Sequence, residues 1–332
     1  MSGPTRYSLV VPVLNEEAVL PILIQRIDAL MASLDGPAEA VFVDDGSTDR
    51  SSAILERLAL ADRRFRLIEL SRNFGHQAAI TAGMEAAAGE AVIVMDADLQ
   101  DPPEVALQMI AKWKEGFHIV HAQRLTRDGD TAFKRWTAGL YYAGLRRLAS
   151  VDIPPDVGDF RLVDRRALDA FLAMPERDRY VRGMFGWLGF RQATVPFARP
   201  ARAAGQTKYP LPKMLRLAAN GVVGFSDAPL RIVLWSGAAV SALAFLVGVY
   251  ALFEVVSGNG RLVRGWASTI IVVSFLSGIN MLVTGVIGVY VGRIHAEVKG
   301  RPLYVVKRRV GVRRRGEADP RSAPLDRTED QA

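Results

Sequence analysis

Two short acidic runs in this 332-residue chain have the residue types and spacing for metal-assisted phosphate chemistry. In MDADLQD (95–101), Asp96 and Asp98 stand two residues apart at the close of an apolar run, and Gln100 follows two residues later. In extended or turning backbone both carboxylates can face one hard cation, with Gln100 adding a neutral oxygen. Oxygen-only ligands suit Mg²⁺ or Mn²⁺, which keep several waters and bind substrate phosphates. In VFVDDGSTD (41–49), Asp44 and Asp45 close a second apolar run, Gly46 permits a tight turn, and Ser47 to Asp49 can cap the next helix. There is no cysteine, and the four histidines show no metal-ligand spacing. Disulfides, thiolate sites and cysteine nucleophiles are thereby excluded, and a metal has to sit on oxygen.

The elements that position these residues repeat along the first half of the chain. Short apolar runs at 8–13, 39–45, 66–71, 91–96 and 118–123 start 25 to 31 residues apart. Amphipathic helical patterns lie between them, near 17–34, 49–62, 76–88 and 103–115. That is the repeat of a βαβ unit, so an α/β fold is expected, with a mostly parallel sheet covered by helices on both faces. Ligands of such sheets bind outside the carboxyl ends of the strands. Those ends carry Pro12, Asn15 and Glu16, then Asp44 and Asp45, then Asp96 and Asp98. The three ends are expected to converge on one crevice.

A second region has the composition of a different solvent. Residues 232–256 carry only Glu254 near their end, and residues 266–292 carry no charge. Each exceeds the roughly 20 residues that cross a bilayer, so a two-helix transmembrane hairpin is expected. Lys213, Arg216 and Arg231 precede it, and Arg293, Lys299, Arg301, Lys307, Arg308 and Arg309 follow. The connecting loop holds only Arg261 and Arg264, which places both termini and the catalytic half in the cytoplasm. Residues 131–149 and 211–226 have the pattern of amphipathic helices at a membrane interface. The expected division is a catalytic domain over 1–210, a juxtamembrane helix over 211–231, the hairpin over 232–292 and a basic tail over 293–332, disordered at its end. Residues 1–7 are polar and lead into a strand, so no signal peptide is expected. The net charge of +7 suits anionic lipid or phosphate substrates; no nucleic-acid module is visible.

An Asp-x-Asp after a strand also occurs in phosphoaspartyl phosphatases, which want Thr or Val where Gln100 stands and place the motif on the first strand. No GxGxxG follows any strand, which disfavours a dinucleotide-binding dehydrogenase. The runs VVPVLNEE (10–17), VDDGSTD (43–49), SRNFGHQAAITAGMEAAAGE (71–90), MDADLQDPPE (95–104), DVGDFRLVDR (156–165) and GQTKYPLPKM (205–214) together resemble family 2 glycosyltransferases. More narrowly they resemble the polyprenyl-phosphate branch, similar to dolichyl-phosphate mannose synthases and bacterial bactoprenol glucosyltransferases, over about residues 6 to 310. The resemblance implies a GT-A fold, inversion at the anomeric carbon and, in some members, a tetramer.

Carried over motif by motif, it implies that Pro12, Asn15, Glu16, Asp44 and Asp45 hold the nucleotide-sugar. Asp96, Asp98 and Gln100 would hold Mg²⁺ or Mn²⁺ and the donor diphosphate, and Asp159 would lie at the reacting centre. Arg124, Lys134, Arg135 and Lys208 would meet the acceptor phosphate. A phosphate monoester is largely ionised at neutral pH, so it scarcely needs a general base. Asp159 is accordingly expected to position the sugar, with acceptance of a residual proton as the other role. The expected reaction is transfer of glucose from UDP-glucose to undecaprenyl phosphate, with UDP-GlcNAc, UDP-galactose, an aminoarabinose donor and GDP-mannose as other donors. A processive polysaccharide synthase would carry QxxRW, but Ala132 stands where Gln belongs before Arg135-Trp136. A catalytically dead scaffold would have lost an acidic residue of the metal site, and none is missing.

Overall fold

The structure, a computed structural model, describes residues 5–125, 157–177, 179–198, 228–257 and 266–311. Lys134, Arg135, Lys208, both amphipathic stretches and the chain beyond 311 lie outside the described residues.

The expected βαβ repeat is present. Strands β1 (Tyr7–Val13), β2 (Ala38–Asp44), β3 (Phe65–Leu70) and β4 (Ala91–Val94) alternate with helices α1 (Leu20–Ser33), α2 (Ser51–Ala61) and α3 (His76–Ala86). Helix α4 (Val105–Lys114) and strand β5 (Ile119–Arg124) follow. Then come β6 (Val157–Asp164), α5 (Arg165–Leu172), α6 (Val181–Trp187) and β7 (Gln192–Phe197). Two long helices, α7 (Ala228–Val256) and α8 (Trp266–Val298), precede the last strand, β8 (Val306–Val310).

The eight strands form one sheet in the order β7-β5-β6-β4-β1-β2-β3-β8. Strands β1 to β4 pair in parallel, β6 runs antiparallel between β4 and β5, and β8 runs antiparallel along β3. Every residue of β1 is buried, as a strand covered on both faces must be. Helices α1, α2 and α4 pack on one face around Leu23, Ile27, Leu55 and Met109. Helices α3, α5 and α6 pack on the other around Ile80, Met84, Leu168, Phe171 and Phe185. Gly83 lets α3 lie close against the sheet, because a Cβ there would meet side chains of Val10 and Val43.

The structure departs from the sequence reading at the basic run that begins at Lys307. Its first residues were expected in a tail; they form β8, an edge strand of the catalytic sheet. Lys307 and Arg308 pair with Glu69 on β3 at 2.6 and 3.0 Å. Lys307, Arg308 and Arg309 are all exposed although successive strand residues point to opposite faces, so both faces of this edge strand are solvated and charge concealed a strand.

Among the described residues one segment, Phe275–Val298, is long and apolar enough to cross a membrane: 24 residues, mean hydropathy 1.7, none buried. Helix α7 is 29 residues long and exposes Leu234, Trp235, Phe245 and Phe253. The end of α8 meets the catalytic domain, where Glu297 accepts the Arg177 backbone N–H at 2.9 Å.

Candidate active site

The loops after β1 and β2 are stitched together. Asn15 has a positive φ of 57°, which turns its amide toward the β2 loop. Its side-chain oxygen accepts the Thr48 N–H at 2.7 Å, and its own N–H donates to Ser47 at 3.0 Å. The Glu16 N–H donates to Ser51 at 3.0 Å and the Glu17 N–H to Asp49 at 3.1 Å. Ser47 and Asp49, read from the sequence as helix caps, thus join two loops, and Asp49 also accepts the N–H of Ser51, the first residue of α2, at 2.9 Å. Pro12 is buried within β1, beside these loops.

The two carboxylates after β2 are both buried, at 1% and 3% exposure, but they do different jobs. Asp44 accepts the Ser47 N–H at 3.0 Å and closes its own turn. Asp45 accepts the N–H groups of Phe74 and Gly75 at 2.8 and 3.0 Å, one on each oxygen. Asp45 thereby anchors the 73–75 loop ahead of α3. Gly46, at φ 76°, passes under that loop: a Cβ would lie 2.6 Å from the Arg72 and Asn73 backbone.

The acidic loop after β4 turns sharply enough to hold Leu99 at φ 58°, a conformation unfavourable for a branched side chain. Asp98 accepts the Gln100 N–H at 3.1 Å, and Asp101 accepts the Asp96 N–H at 3.2 Å. The other oxygen of Asp101 and Oδ1 of Asp96 are buried without a hydrogen-bond partner among the described residues. Burial foremost, then the neighbouring carboxylates, pushes Asp96 up and carries Asp101 to about 7. Surplus negative charge with unspent oxygens is what a divalent cation relieves, so Asp96, Asp98 and Gln100 fit one. Among the described residues no group of three or more His, Asp or Glu side chains surrounds a common point. A cation at this loop would have two carboxylates at most and would need substrate phosphate to complete its shell.

Across the crevice, β6 presents Asp159, 7% exposed, to a set of cations. Arg182 from α6 forks onto both its oxygens at 2.9 and 3.0 Å, and Arg161 reaches Oδ1 at 3.2 Å. His76, the first residue of α3, stands 3.3 Å from Asp159 and 3.4 Å from Asp96 and so bridges the two strand ends. Burial alone would raise the Asp159 carboxyl, but Arg182, His76 and Arg161 outweigh it and hold the group well below the usual range. Burial likewise opposes the charge on His76, yet Asp159 and Asp96 carry its pKa up to about 9. Arg124, at the end of β5, reaches the same place: a Cβ on Gly158 would lie 3.1 Å from its Nη2, and its charge acts on Asp101.

The sequence reading missed His76, Asp101, Arg161 and Arg182. Three of them sit inside the quoted runs, but nothing in a linear string singles out Arg182, one basic residue between Val181 and Gly183.

Residues 8–172 match the family described as Glycosyl transferase family 2. The uncharacterized glycosyltransferase YkcC of Bacillus subtilis (strain 168) is 46% identical over 312 residues, 94% of this chain and 96% of that one. The chain belongs to glycosyltransferase family 2. It is an enzyme of sugar transfer, which sets aside the phosphatase and dehydrogenase readings. Another similar family member, a prophage bactoprenol glucosyl transferase homolog of Escherichia coli (strain K12), is 38% identical over 304 residues, covering 91% of this chain and 99% of that one. Among solved structures, glucosyl-3-phosphoglycerate synthase from Mycobacterium tuberculosis, in complex with Mn²⁺, UDP-glucose and phosphoglyceric acid, covers 67% of this chain and 79% of its own. There the identity is 21% and the TM-score 0.45.

Proposed function

We propose that this family 2 glycosyltransferase transfers glucose from UDP-glucose to a polyprenyl phosphate, with a divalent cation and inversion at the anomeric carbon. One observation carries the reading: His76 stands between Asp96, which closes the acidic loop after β4, and Asp159, which Arg182 and Arg161 hold ionised. The relative named for bactoprenol and glucose supports the acceptor and the sugar.

Pro12, Asn15, Glu16 and Asp44 line the nucleoside side, while Asp45 keeps the 73–75 loop in place. Asp96, Asp98 and Gln100 would hold the cation, which would supply positive charge beside the donor diphosphate. A phosphate oxygen of the acceptor attacks the anomeric carbon, the bond to the diphosphate oxygen breaks, and the nucleoside diphosphate leaves with that electron pair. Asp159, held ionised by three cationic groups, orients the sugar and faces the positive charge developing on it. Arg124 meets the acceptor phosphate from the β5 end, and Lys134, Arg135 and Lys208 are assigned the same task.

Helices α7 and α8 form the membrane hairpin in this reading, with the catalytic domain and both termini in the cytoplasm and the protein assembled as a homo-oligomer. A reporter fused after Ala332 and found outside the cytoplasm would overturn that orientation. The reaction is tested by incubating the full chain with radiolabelled nucleotide sugars, undecaprenyl phosphate and Mg²⁺ or Mn²⁺, with and without EDTA. Lipid-soluble label from UDP-glucose, lost with EDTA, is the expected result. Label from a different donor would replace the sugar assignment, and label that survives EDTA would remove the cation.

A further inference from the structure

A groove of about 870 Å³ runs along the flank of α3, away from the acidic crevice. On the α3 side its lining runs from Thr81, five residues after His76, to Ala88. At about 1.5 Å per helical residue it starts roughly 8 Å from the crevice and extends further from it. Four arginines line it from four separate elements: Arg66 on β3, Arg165 on α5, Arg179 before α6 and Arg309 on β8.

Glu85 is the single carboxylate of the lining, and it accepts the Tyr304 hydroxyl. Behind the lining, Glu39 takes one nitrogen of Arg66 at 2.6 Å and Asp169 lies 3.6 Å from Arg165. Glu176 acts on Arg179 as well, so four carboxylates stand beside the four guanidinium groups, and what is left over is donors rather than charge. Arg66 Nε and one Nη of Arg179 are buried yet have no hydrogen-bond acceptor among the described residues. Burial, the first cause, makes the Arg179 charge harder to hold and lowers its pKa. A buried guanidinium N–H without an acceptor is costly, and an anion in the groove supplies what is missing.

We propose that this groove binds a phosphate group, contributed by the headgroup of an anionic lipid. The phosphate chemistry follows from the arginines, whose planar forks match a phosphate in two-point contact. The lipid source follows from position. Tyr304 comes six residues after the last residue of the apolar α8, and the 173–179 loop carrying Arg179 is tied to Glu297 at the end of α8. That source rests on the membrane reading of α8; the anion site itself does not. Nothing in the sugar-transfer chemistry uses these arginines, so the groove holds a second phosphate, distinct from donor and acceptor.

The test uses the full chain in nanodiscs of phosphatidylcholine alone, the same with phosphatidic acid added, and phosphatidylcholine discs titrated with inorganic phosphate. The catalytic domain's unfolding temperature is followed for the wild type, Arg309→Gln and Arg179→Gln. A ligand bound only by the folded state raises that temperature. The expected rise with phosphatidic acid is about 2–4 °C in the wild type, lost in both variants. Arg309 is exposed on an edge strand, so its variant keeps the ligand-free unfolding temperature even if Arg179→Gln does not fold. A rise with inorganic phosphate but not with phosphatidic acid would keep the anion site and replace the lipid by a soluble phosphate. No rise with either, or an equal rise in Arg309→Gln, would overturn the site. Glucose transfer in phosphatidylcholine discs, retained by Arg309→Gln, separates this outcome from failure of the proposed reaction.

Discussion

Arg182 grips both oxygens of Asp159, with Nε donating to Oδ1 at 2.9 Å and an Nη to Oδ2 at 3.0 Å. The fork fixes the carboxylate plane and ties α6 to β6, two elements that share no regular hydrogen bonds. Arg161 adds a donor at 3.2 Å and Gln77 another at 3.4 Å, so the oxygens of Asp159 are surrounded by donors. A carboxylate held this way keeps its charge and is a poor proton acceptor. The proposed role for it is accordingly positioning of the sugar.

Asp159→Asn takes from Arg161, 1% exposed, and from Arg182 the carboxylate that each is paired with. Removing one partner of a buried ion pair costs about 3–5 kcal/mol. Denaturant titration should show a loss of that order together with loss of sugar transfer. A variant as stable as the wild type would mean that the arginines find other partners.

Asp159 also sets an acid limit on stability. Its folded pKa lies below the unfolded value, so its contribution is fully present above about pH 4 and lost as pH falls through the depressed folded value. Unfolding temperature measured from pH 6 downward should fall more steeply in the wild type than in Asp159→Asn. Parallel curves would remove Asp159 from the account.

His76 reports on the cation site. Its pKa of about 9 is set against burial by Asp159 and Asp96, so a divalent cation on Asp96 removes part of the attraction. Imidazole titration by ¹⁵N NMR should shift to lower pH on adding Mg²⁺ in excess. An unchanged midpoint at saturating Mg²⁺ would take Asp96 out of the metal site.

Glu69 holds the last strand in place. It is 7% exposed and meets Lys307 at 2.6 Å and Arg308 at 3.0 Å. Glu69→Gln should free β8, raising amide hydrogen exchange at Val306–Val310 about tenfold, equivalent to about 1.4 kcal/mol. Exchange unchanged there would assign the strand's stability to its backbone pairing with β3.

Much of the catalytic sheet was visible in the string because apolar runs at βαβ spacing can bury themselves only one way. Asp96 and Asp98 stood out because strand ends of such sheets form the crevice, whereas Asp159, near the start of an antiparallel strand, was named only through the family resemblance. The loop-anchoring bonds of Asp45 were not legible, because a carboxylate that binds a ligand and one that anchors a loop look identical without their partners. The charge of Lys307, Arg308 and Arg309 hid β8, since alternation fails on an edge strand solvated on both faces.

The sequence by itself determined the α/β architecture, the apolar character of α7 and α8, and the family, because these rest on periodicity and motif order along the chain. Only the tertiary structure decided which charges meet. Gln77 and Asp159 are 82 residues apart, and His76 comes to rest between Asp96 and Asp159. Glu69 finds Lys307 across 238 residues. Electrostatic energy depends on distance in space and on burial, and neither can be read along the chain.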